Sequence, residues 1–448
     1  MDIRLSSYGR ESTHPSPVNA MMAAFVGDFR DGVDIDLGVG YVNEKTIPTA
    51  LLTEALEAVA GDNATYRQAF NYGGPEGSAN LIAALRRFLG RRRIDGLDEA
   101  TLARKRIAIG PCGATSILDA LAEVLAPGIV VTSDPMYYIY CNCLERKGFE
   151  VLAIPEDAQG INRSMLEAKL RSLGARAADI AFFYAVTVNN PSCTILSNAR
   201  RRALYEVAAR CSREQGRRIP IVFDLAYELL LHDPQGEAFE SALARDDLDI
   251  AYEIGTLSKL LAPAMRIGYL LGPGGPLMNA MVQKTSDTGF SAPVFVQEMA
   301  AYMLDRHIAP QLRAVNAGYR AKSVAVRAAI ERELGPFLED IRGGQAGFYY
   351  YLTFTGVETH ATSDFFRYLT RTTGDPEVDG PPGRRLPRVM YIPGEYCVHP
   401  RGDLAEAGRR QLRLSYGFED AEGILRALEL MRGAAAFARS RETVAVAS

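Results

Sequence analysis

Lys259 is one of seven lysines in a chain that carries forty-three arginines, and it stands among uncharged neighbours in GTLSKLLAPAMRIGYLLGP, residues 255–273. A surface lysine normally keeps charged company. Serine, threonine, leucine and alanine surround this one, and an amine so placed has its pKa lowered and can attack a carbonyl. Asp224 ends IPIVFD, the most apolar of the strand-like runs. A carboxylate there is costly unless it meets a cation or a donor. GPCGATS reads as a strand end, a glycine turn and a helix start. The backbone N–H groups around Gly113, Ala114 and Thr115, with the helix dipole, would hold a phosphate. Tyr137 in SDPMYY follows a strand and can lie flat on a ring, and Asn190 in VTVNNPS opens a turn. Taken singly, each has a plain reading: a turn glycine, a core tyrosine, a turn asparagine.

Together they describe a ligand with a phosphate, a flat ring, a basic ring nitrogen facing a carboxylate, and an aldehyde facing a lysine. Pyridoxal 5'-phosphate is that ligand, since it needs a lysine partner for its aldehyde and an acidic partner for its ring nitrogen.

The elements that must position these residues alternate between strand and helix from about residue 50 to 320. RIAIG, GIVVTSD, IAFFYAVTV, IPIVFD and RIGYLLG are β-branched or aromatic runs ending in polar or turn residues. TSILDALAEVL repeats apolar residues at the spacing of a one-sided helix, and NARRRALYEVAARCSREQG is a second helix closed by glycine. This order implies an α/β fold with a mainly parallel sheet flanked by helices, and ligands of such sheets gather at the carboxyl ends of the strands. A smaller α+β domain formed by both chain ends completes the expected architecture. The divisions are 1–50 for an N-terminal arm and part of the small domain, 51–320 for the large cofactor-binding domain, and 321–448 for the C-terminal small domain. A long helical stretch is expected from about 294 to 334. TGDPEVDGPPGRRLPR reads as an exposed loop, and the tail SRETVAVAS is expected to fray.

The bulk properties narrow the partners. A formal charge of -4 gives no polyanion-binding signature, and no apolar run is long enough to span a bilayer. The first residues, MDIRLSSYGRESTHP, lack the apolar core of a signal peptide. Six cysteines without a CxxC read as free thiols of a cytoplasmic protein, and five scattered histidines argue against zinc.

In order and spacing, these segments resemble the class I/II aminotransferases of the fold-type I pyridoxal-phosphate enzymes, over roughly residues 35 to 430. SKLLAPAMRIGY is similar to the family's SK-x-L-A-P-x-x-R-x-G lysine motif. The resemblance implies that Lys259 forms a Schiff base with the cofactor and that Asp224 pairs with the ring nitrogen. Tyr227 and Asn190 would hydrogen-bond the ring oxygen, and Tyr137 would stack on the ring. Arg266, Thr256, Ser258, Gly113, Ala114 and Thr115 would hold the phosphate. NYGGPEG matches the segment whose tyrosine, here Tyr72, reaches the phosphate of a neighbouring subunit, which implies a homodimer with shared sites. QLRLSYGF makes Arg413 the grip on the substrate α-carboxylate, and DLGVGY places Gly38 and Gly40 beside the substrate.

Departures from the pattern bear on the reaction. NPSC carries Cys193 where the family has glycine, so that turn is expected to differ, and GVGYVNEKTIP lacks a common proline. The resemblance implies transamination between an α-amino acid and a 2-oxo acid. The alternative is β- or γ-elimination, replacement or cyclisation in biosynthesis, with S-adenosylmethionine among the candidate substrates. A third class, a regulator with an aminotransferase-like domain, needs a helix-turn-helix domain ahead of DIDLGVG, where about thirty residues stand.

Overall fold

The computed structural model describes residues 3–92, 97–381 and 383–447, the last six by backbone alone. In chain order the strands are β1 (Ile35–Asp36), β2 (Lys105–Ile109), β3 (Ile129–Asp134), β4 (Glu150–Asp157), β5 (Gly160–Ile161), β6 (Ile180–Val186) and β7 (Ile221–Asp224). They continue with β8 (Ala251–Thr256), β9 (Gly268–Pro273), β10 (Leu338–Gly343), β11 (Tyr349–Phe354), β12 (Val389–Met390), β13 (Ile392–Pro393) and β14 (Gln411–Ser415).

Eight of them form one sheet in the order β2-β9-β8-β7-β6-β3-β4-β5. The pairs from β4 through β3, β6 and β7 to β8 are parallel, whereas β9 runs antiparallel to β8 and β2. Successive side chains of a strand face opposite sides, and both sides here are apolar, as a sheet covered by helices requires. Val130, Phe182, Val222 and Leu270 share a core with Leu121 of the helix Gly113–Val124 and Met281 of the helix Pro276–Gly289. Val131, Phe183, Phe223 and Leu271 belong to the larger core with Leu85 of the helix Ala79–Arg91 and Leu204 of the helix Asn198–Glu214. That last helix starts at Ser197, whose hydroxyl accepts the Arg200 N–H at 3.2 Å.

A second, antiparallel sheet has the order β10-β11-β14-β13. Its register sets Tyr351 opposite Arg413 and Tyr349 opposite Ser415. Near the N-terminus, β1 pairs in parallel with β12, so both ends of the chain meet there.

Three local expectations need correction. The helical stretch from 294 to 334 is two helices, Val294–Arg306 and Ile308–Leu334, joined at His307. Pro310 explains the break, because it has no N–H for the Arg306 carbonyl and its ring excludes that carbonyl from a continuous helix. The second helix runs unbroken past residue 320. The segment TGDPEVDGPPGRRLPR holds a short helix, Pro376–Asp379, capped by the Asp375 carboxylate, and its Pro382 lies outside the described residues. The final helix, Ala421–Ala447, carries through most of the tail, and Ser448 lies outside the described residues.

Candidate active site

Polar residues converge where β2, β3, β6, β7 and β8 end and β9 begins. A cavity of about 130 Å3 there is lined by Ala114, Thr115, Tyr137, Asn190, Asp224, Tyr227, Thr256, Ser258, Lys259 and Arg266, with Leu118, Val186, Ala226 and Pro263. Sequence distance is erased by the parallel crossovers, which bring every strand end to one edge of the sheet.

Lys259 sits in the turn between β8 and β9, and its Nζ donates to the Gly40 carbonyl at 3.1 Å. The rings of Tyr227 and Phe348 each lie 5.5 Å from the same nitrogen. Burial, aided by the nearby charges of Arg266 and Arg413, lowers the amine's pKa to about 8. The shift lowers the cost of removing the amine's proton.

Asp224 ends β7 with its carboxylate fully enclosed, and burial raises its pKa. Tyr184 donates its hydroxyl to one carboxylate oxygen at 2.7 Å, and the Ala226 N–H donates to the other at 3.0 Å. Both partners are neutral. A carboxylate so placed at the wall of a cavity fits a cationic ring nitrogen.

The opposite end of the cavity is suited to an anion. Gly113 begins its helix at a φ of 70°, which favours glycine, and the Arg266 guanidinium packs beside it, with Nη2 2.9 Å from where a Cβ would stand. The N-cap residue Cys112 supplies no side-chain cap, which leaves the first-turn amides for another acceptor. Arg266 is itself left-handed, at a φ of 52°, and its guanidinium donates to the Cys112 and Pro263 carbonyls at 3.2 Å each. Thr256 Oγ1 donates to the Ile267 carbonyl at 2.8 Å and lies 3.0 Å from Ser258 Oγ.

Arg413 and Gly40 adjoin this cavity. Arg413 Nη1 donates to Asn190 Oδ1 at 2.9 Å and Nη2 donates to the Gly38 carbonyl, while Nε has no hydrogen-bond partner among the described residues. Its guanidinium lies 4.4 Å above the Tyr349 ring. Tyr72 is not brought to the cavity within one chain: it is 77% exposed and packs against Phe290 at 5.4 Å.

Sequence reasoning missed Tyr184 and Tyr349. Tyr184 shares one face of β6 with Phe182 and Val186, a pattern readable in the sequence. Tyr349 lies in GFYYYLTF, where nothing local singles out one tyrosine. Cys193 stands at a φ of 51°, in the left-handed region that glycine favours.

A half-buried lysine, a buried carboxylate and a helix start with free first-turn amides lie together at one edge of a mainly parallel sheet. The chain belongs to the family Aminotransferase class I and II, whose model matches residues 34–374. It is 27% identical over 281 residues to aromatic-amino-acid aminotransferase 1 of Thermococcus litoralis, an alignment covering 61% of this chain and 64% of that protein. The alignment therefore spans just under two thirds of that relative. An uncharacterized HTH-type transcriptional regulator, YisV of Bacillus subtilis, is 22% identical over 351 residues, with 78% of this chain and 67% of that protein covered. The fold is similar to the crystal structure of a multiple substrate aminotransferase from Thermococcus profundus, with a TM-score of 0.80 at 22% identity over 98% of each chain. Membership implies pyridoxal 5'-phosphate, and the carboxylate, lysine and uncapped helix start all fit it.

Proposed function

We propose that this protein is a pyridoxal-phosphate-dependent aminotransferase that exchanges an amino group between an α-amino acid and a 2-oxo acid. The observation that carries this reading is that Lys259, Asp224 and Arg266 line one cavity, with the lysine pKa near 8. When bound, the cofactor supplies an electrophilic aldehyde and a cationic ring that accepts the electron pair released at the substrate Cα.

The chain's own residues do the rest. Asp224 keeps a proton on the ring nitrogen. Arg266, Thr256, Ser258 and the amides of Gly113, Ala114 and Thr115 bind the phosphate, while Tyr227 and Asn190 face the ring oxygen and Tyr137 offers a flat surface. Arg413 grips the α-carboxylate through a planar fork, which orients the bond to be broken at Cα. Lys259 would hold the cofactor and, once displaced by substrate, would take the proton from Cα and deliver it to the cofactor's former aldehyde carbon.

The protein works as a cytoplasmic homodimer in this reading. Tyr72, Phe290 and Phe70 are 77%, 61% and 71% exposed, an aromatic surface of the kind a second copy covers. A partner copy would then bring Tyr72 to the phosphate of the neighbouring site. Similarity to a protein named for aromatic amino acids makes phenylalanine and tyrosine the first substrates to test.

Borohydride treatment of the cofactor-loaded protein tests the reading. Reduction should attach the cofactor covalently to the peptide containing Lys259, and Lys259→Ala should abolish the attachment. A cofactor adduct on another lysine would overturn it.

A further inference from the structure

Tyr349 is wholly buried and touches three parts of the site at once. Its hydroxyl lies 2.8 Å from the Tyr227 hydroxyl. A Cβ on Gly40 would lie 2.6 Å from the same oxygen, so the phenol rests against the residue whose carbonyl accepts from Lys259. Its ring carries the Arg413 guanidinium at 4.4 Å. Tyr349 thereby joins the carboxylate grip to the phenol beside the lysine.

Either hydroxyl of the pair can donate, and the choice matters. A Tyr227 that donates to Tyr349 has spent its only proton. A Tyr227 that accepts keeps that proton for the cofactor's ring oxygen, and an accepted hydrogen bond strengthens its own donation. The surroundings favour the second arrangement. Burial raises both phenols, and the Arg413 guanidinium opposes the rise at both, but it stacks directly on the Tyr349 ring at 4.4 Å and so favours loss of the Tyr349 proton more. The better acid is the better donor. The groups facing Tyr349 are Arg413, Tyr227, Tyr138 and Cys193; those facing Tyr227 are Tyr349, Tyr137, Arg413 and Lys259; Arg266 and Arg413 face Lys259.

We propose that Tyr349 is a positioning residue that donates its hydroxyl proton to Tyr227, thereby aiming the Tyr227 proton at the cofactor's ring oxygen, while its ring separately supports Arg413. The inference rests on the functional reading above. Donation to the ring oxygen weakens that oxygen's hold on the proton it shares with the lysine–cofactor linkage, so the linkage loses its proton at lower pH.

The test titrates the absorbance of the linkage against pH in the holoenzyme and measures binding of 3-phenylpropionate as a probe of Arg413. Tyr349→Phe keeps the ring and should raise the titration midpoint by about 0.5–1 pH unit, with probe affinity unchanged. Tyr349→Leu should raise the midpoint and also weaken the probe roughly tenfold. In a Tyr227→Phe background, adding Tyr349→Phe should move the midpoint no further, because the relay is already cut. An unchanged or lowered midpoint in Tyr349→Phe, or an undiminished further shift in the double variant, overturns the proposal while leaving the cofactor reading intact. A wild-type protein with no titrating linkage overturns both.

Discussion

Arg413 Nη1 donates to Asn190 Oδ1 at 2.9 Å, tying β14 of the four-stranded sheet to the turn that follows β6 of the eight-stranded one. The guanidinium also holds the Gly38 carbonyl, so one planar group joins three segments that are far apart in sequence. Lysine cannot reproduce that fork. Arg413→Lys should lower kcat/KM for an amino acid by roughly 100-fold, about 3 kcal/mol, the scale of a charge-assisted bidentate contact. The same variant should treat the corresponding amine, which lacks a carboxylate, much as the wild type does. Steady-state kinetics with both compounds separates a lost carboxylate grip from general damage.

The lysine makes a stability prediction for the cofactor-free protein. Its pKa falls from 10.5 to about 8 on folding, so between those values the unfolded chain binds more protons than the folded one. Stability therefore rises with pH through that window, and the full penalty applies below about 8. Lys259→Met, which keeps the length and removes the charge, should stabilise the apoprotein at pH 7 by on the order of 2–3 kcal/mol. The advantage should shrink as pH rises above 8 and vanish beyond 10.5. Thermal midpoints of both proteins across that range decide the matter, and a pH-independent difference would contradict it.

These expectations show which parts of the site were legible in the sequence. Asp224, Asn190 and Tyr137 follow or end apolar runs, and a parallel sheet delivers such residues to one edge, whereas Lys259 was legible through its uncharged neighbours. β8 was harder to see, because Glu253 interrupts its apolar pattern. The structure explains that charge: Glu253 accepts from Ser241 Oγ at 2.8 Å and from the Ala242 N–H at 3.0 Å. Tyr349 was illegible for another reason. Its approach to Tyr227, 122 residues earlier, depends on how one sheet packs against another, and no local pattern encodes that.

Cys193 and Gly347 carry a packing prediction. A Cβ on Gly347 would lie 2.7 Å from Cys193 Sγ, and Gly347 has a φ of 62°. Gly347→Ala should therefore destabilise by about 2 kcal/mol or more, part from the left-handed backbone and part from the clash. Cys193→Gly removes the sulfur and suits its own positive φ, so the double variant should recover about half the loss. Equal thermal midpoints for Gly347→Ala and the double variant would exclude the clash.

The exposed aromatic surface predicts assembly. Phe290 packs on Tyr72 and is 61% exposed, so Phe290→Asp changes the surface without opening a cavity in the core. It should shift a dimer toward monomers in sedimentation and weaken cofactor binding in parallel. Tyr72→Phe should remain dimeric yet bind the cofactor roughly tenfold more weakly, the worth of one hydrogen bond to a charged group. A wild-type monomer with full cofactor affinity would remove the shared site from the proposal.

Reaction type divides the leading reading from its rival. A transaminase given an amino acid and no acceptor transfers the amino group once, so each site should release one equivalent of 2-oxo acid and then stop. Adding a 2-oxo acid should restart it. An elimination, replacement or cyclisation enzyme instead restores its starting form within every cycle, so it needs no acceptor, turns over continuously and releases a group from the substrate side chain. In the proposed reading both routes would begin with the α-carboxylate on Arg413 and proton removal at Cα by Lys259, so the residues around Asp224 and Arg266 do not distinguish them. Rapid quench with mass analysis of products, using phenylalanine, tyrosine and S-adenosylmethionine in turn, gives the stoichiometry directly. We expect a single-equivalent burst with an amino acid and acceptor-dependent turnover afterwards. Sustained turnover without acceptor, accompanied by a departing side-chain group, would replace transamination with the rival chemistry and leave the cofactor-binding residues as assigned.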